Sequence, residues 1–130
     1  MSDANLEKSM IRAHSGGTHH FLKTKFLGLE GEIYKYELEF SKECLNPFNT
    51  VQGGMIASAI DEITSISVNI FTKDEYLPSS TDIHISFHRP VFLGKVMGTA
   101  KIIKIGKHIV SVEGRLISSS GKVAASGLHT

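Results

Sequence analysis

The chain has 130 residues, 41% of them hydrophobic and 21% charged, with a formal net charge of +1 and a single cysteine. That length suits one domain with a sizeable core, and a charge so near zero gives no global attraction to nucleic acid or to an acidic membrane surface. Cys44 alone excludes an internal disulfide framework and fits a reducing compartment; with no signal-peptide core at the start and no run of about 18 apolar residues, a cytoplasmic protein without a membrane span is expected.

Residues 3–12, DANLEKSMIR, predict a short leading helix, ended by a flexible HSGGTHH segment. Residues 1–19 therefore read as a lead-in, and residues 20–130 as one domain. In HFLKTKFLGLEGEIYKYELEF, Tyr34, Tyr36, Leu38 and Phe40 alternate with Lys35, Glu37 and Glu39. Period two marks a strand with one wet and one buried face. Leu29-Glu30-Gly31-Glu32 reads as the hairpin turn between that strand and one before it. SKECLNPFNT, with Asn, Pro and Asn clustered, reads as a loop.

The period then changes. Ile56, Ala59, Ile60, Ile63, Ile66 and Ile70 fall at steps of three and four, which predicts a helix running to about Phe71. Isoleucine is a poor helix former in isolation, so packing must hold it. The other flank carries Ala57, Ser58, Asp61, Thr64 and Ser65, small enough to let a second surface approach. After KDEYLPSS, strands return in STDIHISFH, KVMGTAKIIKI, HIVSVEGRLIS and KVAASGLHT. The order is β-β-α-β-β-β-β, and short turns between the last four strands point to antiparallel pairing. One amphipathic helix against one antiparallel sheet of five to six strands is an α+β layer. Such a sheet leaves edges and one face to be covered, and pairing with a second copy would do so.

The chemistry concentrates in NTVQGGMIASAIDEI. A helix N-terminus offers unpaired N–H groups and the positive end of the helix dipole. Gly53 and Gly54 there would let a ligand oxygen approach the backbone, as an oxyanion hole requires; the plainer alternative is a tight loop-to-helix turn. Asp61, on a mostly apolar helix, is a candidate base or nucleophile, against the alternative of a solvated flank. Glu62 points about 100° away from it. His84 and His88 share a strand face but stand about 13 Å apart, too far for one metal. Cys44 has no evident base, and His14, His19 and His20 lie in the glycine-rich lead-in. Lys104, Lys107 and His108 flank a turn, with Lys95 and Lys101 nearby: a solvated basic edge or a phosphate contact. No metal site and no cofactor are expected.

The stretch NPFNTVQGGMIASAIDEI resembles the corresponding segment of hot-dog-fold thioesterases of the phenylacetate-pathway (PaaI-like) type. Its usual form is Asn, a short loop, His-Gly-Gly, and an Asp seven residues after the second Gly; here those positions are Asn46, Gln52-Gly53-Gly54 and Asp61. The later strands, with Arg89-Pro90 and the IGK turn, are also similar, so the resemblance covers roughly residues 20–130. It implies a hot-dog fold, one long central helix wrapped by the sheet, in a homodimer whose dimers pair into a homotetramer. It implies hydrolysis of an acyl-CoA thioester at the dimer interface, CoA being part of the substrate rather than a cofactor. Asp61 would attack or activate water, and Gly53 or Gly54 N–H would polarise the carbonyl. Asn46 and Ser80 would position the nucleophile or water. Lys104, Gly106, Lys107, His108 and Arg89 would lie toward the nucleotide end of CoA. Gln52 departs from the common His: it can donate and accept, but it does not titrate near neutral pH. A non-catalytic acyl-CoA-binding or sensing module on the same fold is the competing expectation. The acyl group is not specified; Phe48, Met55, Phe71, Tyr76, Phe87 and Phe92 are apolar candidates for closing its pocket.

Overall fold

The computed structural model describes residues 17–73, 75 and 79–130. Its elements are α1 (Gly17–Leu22), β1 (Lys25–Glu30), β2 (Ile33–Phe40), α2 (Gly53–Phe71), β3 (Ile83–Phe87), β4 (Gly94–Ile105), β5 (Val110–Ile117) and β6 (Val123–His129). A short N-terminal helix is present, but it occupies Gly17–Leu22, a stretch read as flexible. The helix expected at residues 3–12 lies outside the described residues. Burial holds α1: His19 and Leu22 turn inward against α2 and β2. It ends on Lys23, whose positive φ of 50° lets Thr24 N–H reach back to the His19 carbonyl.

All six strands form one antiparallel sheet in the order β1-β2-β4-β5-β6-β3. The strand alternation of residues 33–40 holds: Tyr34, Tyr36, Leu38 and Phe40 are buried. The hairpin turn is tighter than expected, at Gly31-Glu32, with Gly31 at φ 61°. One pairing differs from the sequence reading. β3 does not join β4 through a short turn; the chain crosses over, and β3 pairs with β6. Pro90 and the PVFLG segment carry it away from the sheet edge.

α2 lies across β4, β5 and β6 and buries the whole expected stripe, Ile56, Ala59, Ile60, Ile63, Ile66 and Ile70. The sheet face beneath it is made of small residues. Ala100 pairs with Gly114, and Gly114 with Gly127. A methyl group added at Gly114 would come within 2.8 Å of both Ile60 Cγ2 and Thr64 Cγ2. This trough is why the helix sits so close. It also corrects the placement of Thr64, which is fully buried here rather than part of the open flank.

Candidate active site

The loop before α2 is tied down from several sides. Asn46 Oδ1 accepts from the N–H of Phe48 (2.9 Å) and Thr50 (3.2 Å), and its amide donates to Thr50 Oγ1 at 2.8 Å. Its side chain thus holds the loop that leads into α2. Gln52 N–H donates to the Cys44 carbonyl at 2.8 Å, and Val51 N–H to that of Val91. Cys44 itself is buried in the core.

Gln52 is the N-cap of α2. Its Oε1 accepts from Met55 N–H at 3.1 Å, folding the side chain back over Gly54. The Gln52 carbonyl accepts from Met55 and Ile56. Among the described residues, the N–H groups of Gly53 and Gly54 are left with no protein acceptor. Gly53 faces the ring of Phe87, which a methyl group at that position would approach to 3.3 Å. Phe87 ends β3 and is 57% exposed. Two donors therefore sit at the helix start, beside an open aromatic face.

Asp61 occupies a different place. Eight residues along the helix is a rise of about 12 Å, so one chain cannot bring Gly53 and Asp61 to the same carbon. The Asp61 side chain is 55% exposed, whereas the His129 side chain beside it is only 8% exposed. His129 Nε2 stands 3.6 Å from Asp61 Oδ1 and 2.6 Å from Ser80 Oγ, and its Nδ1 stands 2.7 Å from Thr64 Oγ1. Ser65 Oγ reaches Asp61 at 3.4 Å. Ser80, expected on the strand after the helix, precedes β3 and meets this cluster through His129. His129 is the residue that sequence reasoning missed. Its only sequence signal is that it continues the inward face of β6 after Ala125 and Gly127.

The cluster opens on a cleft of ≈ 410 Å³, lined by Thr64, Ser65, Val68, Ser80, His129 and the 105–110 turn among others. Gly106, Lys107 and His108 thus share a cleft with Ser80 and His129. Lys104 lies beside the β4 bulge and not on the cleft wall. Lys95 and Lys101 belong elsewhere: they pair with Glu37 and Glu32, each at 3.8 Å. Arg89 is not brought here. Its N–H bonds to the Ala124 carbonyl, five residues or about 17 Å along β6 from His129. It lines a second groove of ≈ 330 Å³ with Lys95 and Ser118–Ser120.

Glu62 points the other way, as its helix position requires. It accepts from Thr24 Oγ1, and burial holds its carboxyl above the ordinary range, opposed by that hydrogen bond. His84 is exposed beside Asp82, and His88 bonds to Ser126. Among the described residues no group of three or more His, Cys, Asp or Glu is placed to hold a metal ion, and no helix is long and apolar enough to cross a membrane. Tyr76 and His14 lie outside the described residues.

A long helix wrapped by a continuous antiparallel sheet, with open backbone donors at the helix start and a carboxylate two turns on, defines a hot-dog-fold domain. The chain belongs to the thioesterase superfamily, whose family model matches residues 48–125, more than half of its length. It is similar to human acyl-coenzyme A thioesterase 13, 29% identical over 96 residues that cover 72% of this chain and 68% of that protein. The proofreading thioesterase EntH of Klebsiella pneumoniae is 26% identical over 85% of this chain and 75% of its own. The solved structure of a phenylacetic acid degradation-related protein from Ralstonia eutropha superposes with a TM-score of 0.84 at 25% identity, covering 94% of this chain and 95% of that one.

Proposed function

We propose that this protein hydrolyses acyl-CoA thioesters to free acid and CoA, at a site completed by two copies of the chain. One observation carries the reading. The open donors at Gly53 and Gly54 and the exposed carboxylate of Asp61 are the parts an acyl-transfer site needs, yet along one helix they lie about 10–12 Å apart. A two-fold pairing removes that distance. β3 is an edge strand, with Phe87 beside Gly53 at one end and Ile83 paired to His129 at the other. Antiparallel pairing of β3 with the β3 of a second copy would set the Phe87 end of one against the Ile83 end of the other. The glycine donors of one subunit would then face Asp61, Ser80 and His129 of its partner.

In this arrangement the thioester carbonyl oxygen accepts from Gly53 or Gly54 N–H. Asp61 of the opposite subunit takes a proton as water attacks the carbonyl carbon. The C–S bond breaks, the acid is released, and the CoA thiolate takes up the proton. Lys107 and His108 on the shared cleft, with Lys104 close by, would meet the phosphates of CoA. The names of the relatives, an acyl-coenzyme A thioesterase and a proofreading thioesterase, support the reaction class.

Steady-state hydrolysis of an acyl-CoA panel tests the proposal. Asp61→Asn should lower kcat by about 10²- to 10⁴-fold, the share a positioned base contributes. Full retention of rate would refute the role of Asp61. Binding of acyl-CoA without turnover by the wild type would favour the sensing module instead.

A further inference from the structure

We propose that His129 is a positioning residue of this site: its tautomer is fixed, and it holds the Ser80 hydroxyl as a hydrogen-bond acceptor for the attacking water. The assignment rests on the hydrolytic reading above and goes beyond it, because it names the residue that fixes the direction of the Ser80 hydroxyl.

The proton count starts at Thr64. Its Oγ1 lies 2.7 Å from the Ile60 carbonyl and 3.0 Å from that of Asp61. Carbonyl oxygens only accept, so the single hydroxyl proton of Thr64 is used there. Toward His129 Nδ1, at 2.7 Å, Thr64 can then only accept, and Nδ1 must carry the proton. In the neutral ring Nε2 is therefore a bare acceptor. Ser80 Oγ, 2.6 Å away, must donate its proton to Nε2. Asp61 does not compete for this nitrogen: Nε2 and Asp61 Oδ1 stand 3.6 Å apart, beyond hydrogen-bond range.

The consequence falls on the water. With its own proton committed, Ser80 Oγ offers only lone pairs to the cleft. A water between Ser80 and Asp61 would give one proton to each and keep a lone pair for the carbonyl carbon. A freely rotating serine could instead donate to that water and tie up the attacking lone pair. His129 touches neither water nor substrate in this scheme; it acts through Ser80. The buried helix hydroxyl of Thr64 sets the ring, and the ring sets the serine.

Two measurements test this on the full chain. Nitrogen-15 correlation spectra near neutral pH should show His129 with Nδ1 protonated and Nε2 bare, in the wild type and in Ser80→Ala. An Nε2–H tautomer, or a doubly protonated ring, would overturn the assignment. In kinetics, His129→Phe and Ser80→Ala should each lower kcat about 10- to 100-fold with KM unchanged, the scale of a misoriented reactant. The double variant should be no slower than the slower single one, and His129→Gln, whose amide oxygen can take the Ser80 proton, should recover part of the rate. Additive losses, or an effect on KM alone, would refute the coupling. If the wild type hydrolyses no acyl-CoA, the proposed reaction fails, while the spectra still decide the His129 tautomer.

Discussion

Gln52 turns its amide back over the helix it precedes, and that geometry gives it a job without a charge. A neutral acceptor at this position caps Met55 N–H. Histidine, the residue that the resemblance leads one to expect here, could cap in the same way only while its ring is neutral, because imidazolium has no acceptor. In a Gln52→His variant the capping bond would favour the neutral ring and depress its folded pKa. The resulting stability would be present above the unfolded value, about 6.5, and lost as pH falls through the folded one. Urea midpoints across pH 5–8 should show that step in the variant and not in the wild type. Glu62 has the opposite sign. Burial raises its folded pKa, so the folded state holds its proton more tightly than the unfolded chain does. That contribution is full below the unfolded carboxylate value and lost as pH rises through the raised folded one. Glu62→Gln should therefore raise Tm at pH 7, with the gain vanishing at acid pH. The amide keeps an acceptor for Thr24 without burying a charge.

At the scale of elements, the site is held in place by how closely α2 sits on the sheet. Gly114 and Gly127 are paired on neighbouring strands directly beneath Ile60 and Thr64. A methyl group at Gly127 would meet Ile85 Cδ1 at 2.6 Å and Ile60 Cγ2 at 3.2 Å. Lifting the helix would also move Thr64 away from His129. Gly114→Ala should thus cost about 1–3 kcal/mol by overpacking, seen as a lower urea midpoint with an unchanged slope. The same variant should lose kcat beyond the fraction unfolded, because the contact that sets His129 lies at the strained point. The helix stripe and the β2 alternation were readable because each is a local repeat: backbone geometry assigns the face once the element type is known. The glycine trough was not. In sequence Gly98, Gly114 and Gly127 are scattered single residues, and only strand pairing gathers them under one helix.

At the scale of the whole molecule, the separation of Gly53 from Asp61 predicts that neither variant subunit is active alone but that a mixture is. Asp61→Asn subunits keep the donors, and Gly53→Val subunits keep the carboxylate. If the site spans a two-fold interface, mixing equal amounts under conditions that allow subunit exchange should restore about a quarter of the wild-type rate, the share of intact sites in randomly reassorted dimers. No recovery after verified exchange would mean that each site is built within one chain.

By itself the sequence determined the α+β layer, the extent of α2, the buried and wet faces of β2, and the stretch in which the chemistry gathers. Those features follow from periods of 3.6 and 2.0 and from residues close in the chain. Tertiary structure decided the rest. It made Gly17–Leu22 helical, since two buried side chains outweigh a glycine-rich start. It paired β3 with β6 and so carried Ile83 to His129. It buried Thr64 and set it against His129, 65 positions away. Contacts between distant segments have no local pattern to announce them; they are fixed only when burial and hydrogen bonding are satisfied for the whole chain at once.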